Sequence, residues 1–179
     1  MDAGLSAYHY LCDLDRRCQS RNVGLPQHVS GEGGWRGLGY RLGAHQLLSS
    51  YDDIVEILTL PETTPVPGGH AWLLGLANIR GNLLPVIDLK LFLEGERTVL
   101  REDQRMLIVR QPGGDVAVLI DALFGQRIFD DQHAADPAQV GDGRYGHFIQ
   151  RAFHADGETW GVFDLSRLVR TPEFRQAAA

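Results

Sequence analysis

Residues 76–89, LANIRGNLLPVIDL, place Asn78, Arg80 and Asp88 in an otherwise apolar run around a Gly-Asn pair. Gly81-Asn82 fits a two-residue hairpin loop in which glycine supplies the positive φ, so LGLANI and LLPVID read as paired strands. Pro85 has no N–H to give to a ladder and marks an edge or a bulge in the second strand. Leu76, Leu83, Leu84, Val86 and Ile87 read as core. Asn78 and Arg80, two residues apart, share one strand face beside the turn. A planar, five-donor guanidinium on a rigid hairpin is preorganised to grip a partner. Asn78 either joins that contact or bonds its own turn backbone. Asp88 ends the second strand where it would cap a helix opening at Leu89.

The same grammar recurs on both sides of this stretch. WRGLGYRL and HQLLS flank a Gly-Ala turn, and RMLIVR and VAVLID flank Pro-Gly-Gly-Asp, so each pair reads as a hairpin. The first hairpin is followed by an acidic-apolar segment (Asp52 to Leu60), a proline-rich stretch, a strand and turn and then PVIDLKLFL; the second is followed by DALFGQRIFDD, Pro137, two strands and then GVFDLSRLV, so each half has a β-run that ends in Asp-Leu. Asp164 thus repeats the position of Asp88 as a helix cap. The fold this predicts is mainly β: two related lobes, approximately 35–100 and 101–170, each closed by a short helix, with a C-terminal tail over 171–179. Ahead of them, residues 6–20 put Ala7, Leu11, Leu14 and Cys18 on one helical face, and residues 24–34 have the Gly, Pro and Ser content of a linker. Residues 1–34 therefore read as an amphipathic helix and linker outside the main domain. Two lobes leave a groove between them, a natural place for a partner.

Several function classes fall away. The net charge of -6, with no basic patch, argues against nucleic acid or an anionic membrane as the partner. Sixteen of the seventeen basic residues are Arg, and the one lysine, Lys90, follows Leu89 rather than a glycine-rich phosphate loop. No serine has the G-x-S-x-G setting of a hydrolase nucleophile, and GEGGWRGLG lacks the spacing and the strand-helix surroundings of a dinucleotide site. The seven histidines include no pair at i,i+2 or i,i+4. Asp52 and Asp53 are adjacent and read as a solvated first turn rather than an acid-base pair. Cys12 and Cys18 fit neither a redox nor a zinc spacing. The expectation is a non-enzymatic protein with no cofactor and no metal. No apolar run is long enough to span a bilayer and the N-terminus lacks the pattern of a signal peptide, so a cytoplasmic protein without direct membrane insertion is expected.

GLANIRGNLLPVIDL resembles the signature of CheW-like chemotaxis adaptor domains, in which a G-x-x-N-x-R-G hairpin runs into a P-V-I-D-L strand and helix. DDIVEIL resembles that family's V-x-E-I segment, and VAVLIDAL its second-lobe strand; together the likeness covers about residues 35–170. The resemblance implies two SH3-like β-barrel lobes and an adaptor that links the cytoplasmic tip of a methyl-accepting chemoreceptor to the regulatory domain of a CheA-type histidine kinase, beside membrane-bound receptor arrays. Carried over residue by residue, it makes Ile54, Glu56, Asn78, Arg80 and Gly81 the partner contact at the inter-lobe groove, with Ile54 replacing the family's Val. It makes Gly75 and Gly81 backbone requirements and Asp88 a cap; Pro85 and Asp164 are structural on the reading above. LCDLDRRCQSRNVGLP ahead of WRGLGYRLG resembles adaptors of chemosensory systems that control type IV pili and twitching motility. The alternatives are a flagellar chemotaxis adaptor or, in a different class, a β-barrel enzyme or small-molecule binder using the groove. DALFGQRIF departs from the family pattern at Phe124, Gly125 and Arg127, as do the residues between Pro67 and Gly75.

Overall fold

The computed structural model describes residues 34–176. The helix and linker expected before Gly34, with Cys12 and Cys18, lie outside the described residues. The chain runs β1 (Trp35–Leu42), β2 (His45–Ser49), a 3-10 turn, β3 (Ile54–Thr59), β4 (Leu73–Ile79), β5 (Asn82–Ile87), α1 (Leu89–Glu94), β6 (Arg105–Val109), β7 (Val116–Ile120) and β8 (Ala122–Phe129). It continues through the short β9 (Ala134–Ala135), two 3-10 turns, β10 (Ile149–Ala155), β11 (Glu158–Phe163), α2 (Leu165–Leu168) and α3 (Pro172–Arg175). The architecture is mainly β with a few short helices, as expected.

The three hairpins named from turn chemistry all form: β1–β2, β4–β5 and β6–β7. The repeat is present too. Asp88 caps α1 by accepting from Leu91 N–H at 3.1 Å, and Asp164 caps α2 by accepting from Arg167 N–H at 2.8 Å. Both cap residues have nearly the same backbone, φ -78, ψ 92 and φ -83, ψ 93. Each also donates its own N–H backwards, to Trp72 O and to Phe148 O.

The sheets, however, are not the two halves of the sequence. One has the order β8-β1-β2-β11-β10-β9 and the other β3-β6-β7-β5-β4. Each half's first hairpin joins the other half's second hairpin, through parallel pairings of β2 with β11 and of β5 with β7. The division into lobes 35–100 and 101–170 is therefore corrected: each sheet draws on both. Turn chemistry decides a hairpin locally, but says nothing about which edge that hairpin will dock on. The tail beginning at 171 is corrected as well, since α3 buries Phe174 against Trp72 and Phe92.

Period-two alternation partitions the side chains among three cores. In β6, Leu107 and Val109 face the main core between the sheets, while Met106 and Ile108 face a small core inside the five-stranded sheet. β7 is buried along its whole length because Val116, Val118 and Ile120 serve the first core and Ala117 and Leu119 the second. In β2, Leu47 faces the main core while Leu48 joins Phe129, Phe153 and Trp160 inside the six-stranded sheet. The edges of the five-stranded sheet are drawn together by the segment after β3, where Thr64 and Leu76 exchange two backbone hydrogen bonds of 2.8 Å. Gly75 makes this possible. Its φ is 147, and a Cβ there would lie 2.3 Å from Thr64 O.

Candidate functional site

The tip of the β4–β5 hairpin differs by one residue from the sequence reading. Ile79 pairs with Asn82, so the loop is Arg80-Gly81, and both residues have positive φ, 53 and 87. This is the combination a tight primed turn needs to match strand twist. Gly81 adopts it freely, whereas Arg80 is a side-chain-bearing residue held in a left-handed conformation. Asn78 steadies the turn by accepting from Gly81 N–H through Oδ1 at 2.9 Å. Asn78 thus bonds its own turn backbone through Oδ1, and Arg80 belongs to the turn rather than to a strand face shared with Asn78. Pro85 lies just before the stretch where β5 pairs with β7, which begins at Val86, so its missing N–H interrupts no ladder there.

From the turn, Arg80 Nη2 donates to Glu56 Oε1 at 2.6 Å. Glu56 sits on β3 beside a bulge: Ile54 pairs with Val109 and Glu56 with Ile108, leaving Val55 as the extra residue. The bulge decides what β3 shows to solvent. Ile54 packs against the main core, and Val55 points outward, 44% exposed. Among the expected contact residues, the structure therefore brings Glu56, Arg80 and Gly81 together at one surface and turns Ile54 away from it. The residues that sequence reasoning missed are Val55 and Leu83, the latter 67% exposed and not the core residue expected. A bulge leaves no mark in the alternation of residue types, so no signal in the sequence pointed to Val55.

Val55, Glu56, Arg80 and Leu83 line a cleft of about 620 Å³, with buried Ile108 and with Asp115 from the β6–β7 loop also on its walls. Every wall comes from the five-stranded sheet and its loops, so this cleft is not the groove between lobes that the sequence suggested. A separate groove of about 400 Å³ lies where the turn after β2, the loop after β6 and the α2 region meet, lined by Asp52, Asp53, Arg110, Gln111, Ser166 and Arg170. Gln111 lines both. Burial, aided by Asp164 and Asp52 nearby, raises the Asp53 carboxyl above the ordinary aspartate range, against the opposing pull of Arg170 and of the Ser166 backbone. The departures at Phe124, Gly125 and Arg127 have a structural setting. Gly125, at φ 77, stands where β8 slips against β1, Phe124 packs edge-on to Trp160, and Arg127 lies over the same ring.

The cleft holds apolar side chains around one ion pair at the hairpin turn. The fold is a two-sheet β scaffold of the kind that adaptor domains use. Residues 36–173 match the family described as CheW-like domain, and the chain belongs to it, as an adaptor of the chemotaxis type. It is 30% identical to Protein PilI of Pseudomonas aeruginosa over 171 residues, 96% of each chain. It is 29% identical to Protein FrzA of Myxococcus xanthus over 143 residues, 78% of this chain and 88% of that one. Its fold is similar to the crystal structure of the scaffolding protein TtCheW from Thermoanaerobacter tengcongensis, with a TM-score of 0.65, 21% identity, and coverage of 76% of this chain and 93% of that one. No helix among the described residues is long and apolar enough to cross a membrane.

Proposed function

We propose that the chain couples a methyl-accepting chemoreceptor to a CheA-type histidine kinase in a chemosensory system that controls type IV pili and twitching motility. It works in the cytoplasm at membrane-bound receptor arrays and catalyses no reaction. The contact is the hairpin cleft, with Glu56, Arg80 and Gly81 at its mouth and Val55 and Leu83 as its exposed apolar flanks. The observation that carries this reading is the posture of Arg80: a left-handed turn residue, braced by Asn78 and aligned on Glu56. A guanidinium already held in place loses less entropy when a partner docks, so more of its interaction appears as affinity. Similarity to PilI across 96% of both chains supports the pilus assignment over a flagellar one.

The test is a calorimetric titration of wild type and Arg80→Glu with the regulatory domain of the cognate kinase and, separately, with a receptor cytoplasmic-tip fragment. The substitution is expected to weaken binding of at least one fragment by more than about 1 kcal/mol, roughly fivefold, with circular dichroism unchanged. Unchanged affinity for both would remove Arg80 from the contact, and no binding by wild type would overturn the coupling function.

A further inference from the structure

At the other end of the five-stranded sheet lies a second, smaller pocket that the hairpin contact does not use. β5 leads away from the hairpin cleft into α1, and β6 starts at Arg105, so the α1 end of these strands is remote from the Arg80 turn. There Arg41 of β1, Lys90 of α1 and Arg101 of the α1–β6 loop converge on about 250 Å³, with Thr98, Gln104 and Asp121 among the other walls. Arg41 Nε is buried without a hydrogen-bond partner. An unpaired buried donor is an unfavourable arrangement that an incoming acceptor relieves.

The walls are fixed from behind. Asp88, fully buried, accepts from Thr98 N–H at 2.9 Å and from Thr98 Oγ1 at 2.7 Å. Buried Gln104 donates its side-chain amide to Ile120 O at 2.6 Å, and its own carbonyl accepts from Leu60 N–H. Gly43 N–H occupies Asp121 Oδ2 at 2.6 Å. Between those anchors the loop carries Val99 and Leu100, 82% and 50% exposed. Two consecutive apolar side chains held out to solvent by a loop pinned on both sides form a presented surface.

We propose that this pocket is a second partner-binding site, which takes an Asp or Glu side chain of a partner protein while an adjacent apolar side chain of the same segment rests on Val99 and Leu100. Charge selects the occupant. Three cations face the pocket against one carboxylate, Asp121, part of which is already engaged. Outside that lining Lys90 Nζ already meets two carboxylates, Glu96 at 3.2 Å and Glu94 at 3.9 Å, so Arg41 and Arg101 carry the attraction for an incoming anion. The pair with the mostly exposed Glu96 is readily exchanged for an incoming carboxylate. Size points the same way, since the volume lies below the roughly 300–1,000 Å³ of pockets that bury whole small-molecule ligands. Because the two sites occupy opposite ends of the same strands, an adaptor gripped at the hairpin cleft keeps this end free for a third component. The proposal does not depend on which partner the hairpin cleft binds.

The test follows the full-length chain by two-dimensional nitrogen-15 NMR during titration with the blocked tripeptide acetyl-Leu-Glu-Leu-amide, its Gln counterpart, and inorganic phosphate. The Glu peptide is expected to shift the Arg41 Nε–H and the Thr98–Arg101 amides saturably, with the Gln peptide about tenfold weaker or worse. Arg101→Glu should abolish those shifts. Val99→Ser, which leaves every charge in place, should weaken the Glu peptide while leaving shifts caused by free glutarate unchanged. The Arg80 and Gly81 amides should not respond. Equal binding of the Gln peptide, the same shifts at lower concentrations of phosphate, unaltered binding by Arg101→Glu, or no saturable response at Arg41 would each overturn the proposal.

Discussion

Replacing Arg80 with glycine separates folding from binding at the hairpin cleft. Arg80 has φ 53, a conformation that costs a side-chain-bearing residue about 1–2 kcal/mol and glycine nothing. Against that relief stands the extra freedom of glycine in the unfolded chain, about 0.5–1 kcal/mol. The pair with Glu56 is also lost. Its partners are 75% and 28% exposed, so solvent and salt screen it and it contributes about 0.2–1 kcal/mol. These contributions nearly cancel, and Arg80→Gly should leave the unfolding free energy within about 1 kcal/mol of wild type, measured by urea denaturation at unchanged slope. In the same preparation, affinity for the kinase regulatory domain or the receptor tip should fall as it does for Arg80→Glu. A stability loss above about 2 kcal/mol would refute the reasoning, because it would make Arg80 a clamp that closes the sheet rather than a group held ready for a partner.

Gly75→Ala should be far more damaging, by about 3 kcal/mol or more in denaturant, because the new Cβ meets Thr64 backbone at 2.3 Å and prises apart two hydrogen bonds; a loss under about 1 kcal/mol would show that the segment yields freely. Asp88→Ala removes a helix cap and leaves buried Thr98 without its acceptor, so a loss of about 3 kcal/mol is expected, with faster amide hydrogen exchange across residues 95–104 as the specific sign. Asp53 should make stability depend on pH. Its folded carboxyl titrates above the ordinary 3.8, so the folded state binds the proton more tightly and stability falls as pH rises through the window above 3.8. Asp53→Asn should therefore be the more stable protein at neutral pH, with the difference shrinking as the pH is lowered below the folded value; pH-dependent urea midpoints that stay parallel would contradict this.

The residues at the tip show how far sequence reading reaches. Gly81 and Asn78 announce a tight turn, and Arg80 stands out as a guanidinium with no local task. Yet the turn lies one residue earlier than the Gly-Asn pair suggests, because Arg80 accepts a left-handed backbone that propensity assigns to glycine or asparagine. Glu56 is legible only through family resemblance, since its ion pair with Arg80 spans 24 residues of chain. Val55 is not legible at all, because one unpaired residue in the ladder with β6 reverses which neighbour faces solvent.

The sequence by itself determined the three hairpins, the helix caps at Asp88 and Asp164, and the internal repeat. These depend on turn residues, on side chains reaching backbone a few residues away, and on alternation within a strand. Only the tertiary structure decided that the halves exchange hairpins, that Ile54 faces inward while Val55 and Leu83 face the cleft, and that Arg41, Lys90 and Arg101 meet. Those outcomes depend on which strand edges pair. β7 joined to β6 on one side and β5 on the other buries both its faces at once, and that gain in burial is a property of distant segments brought together.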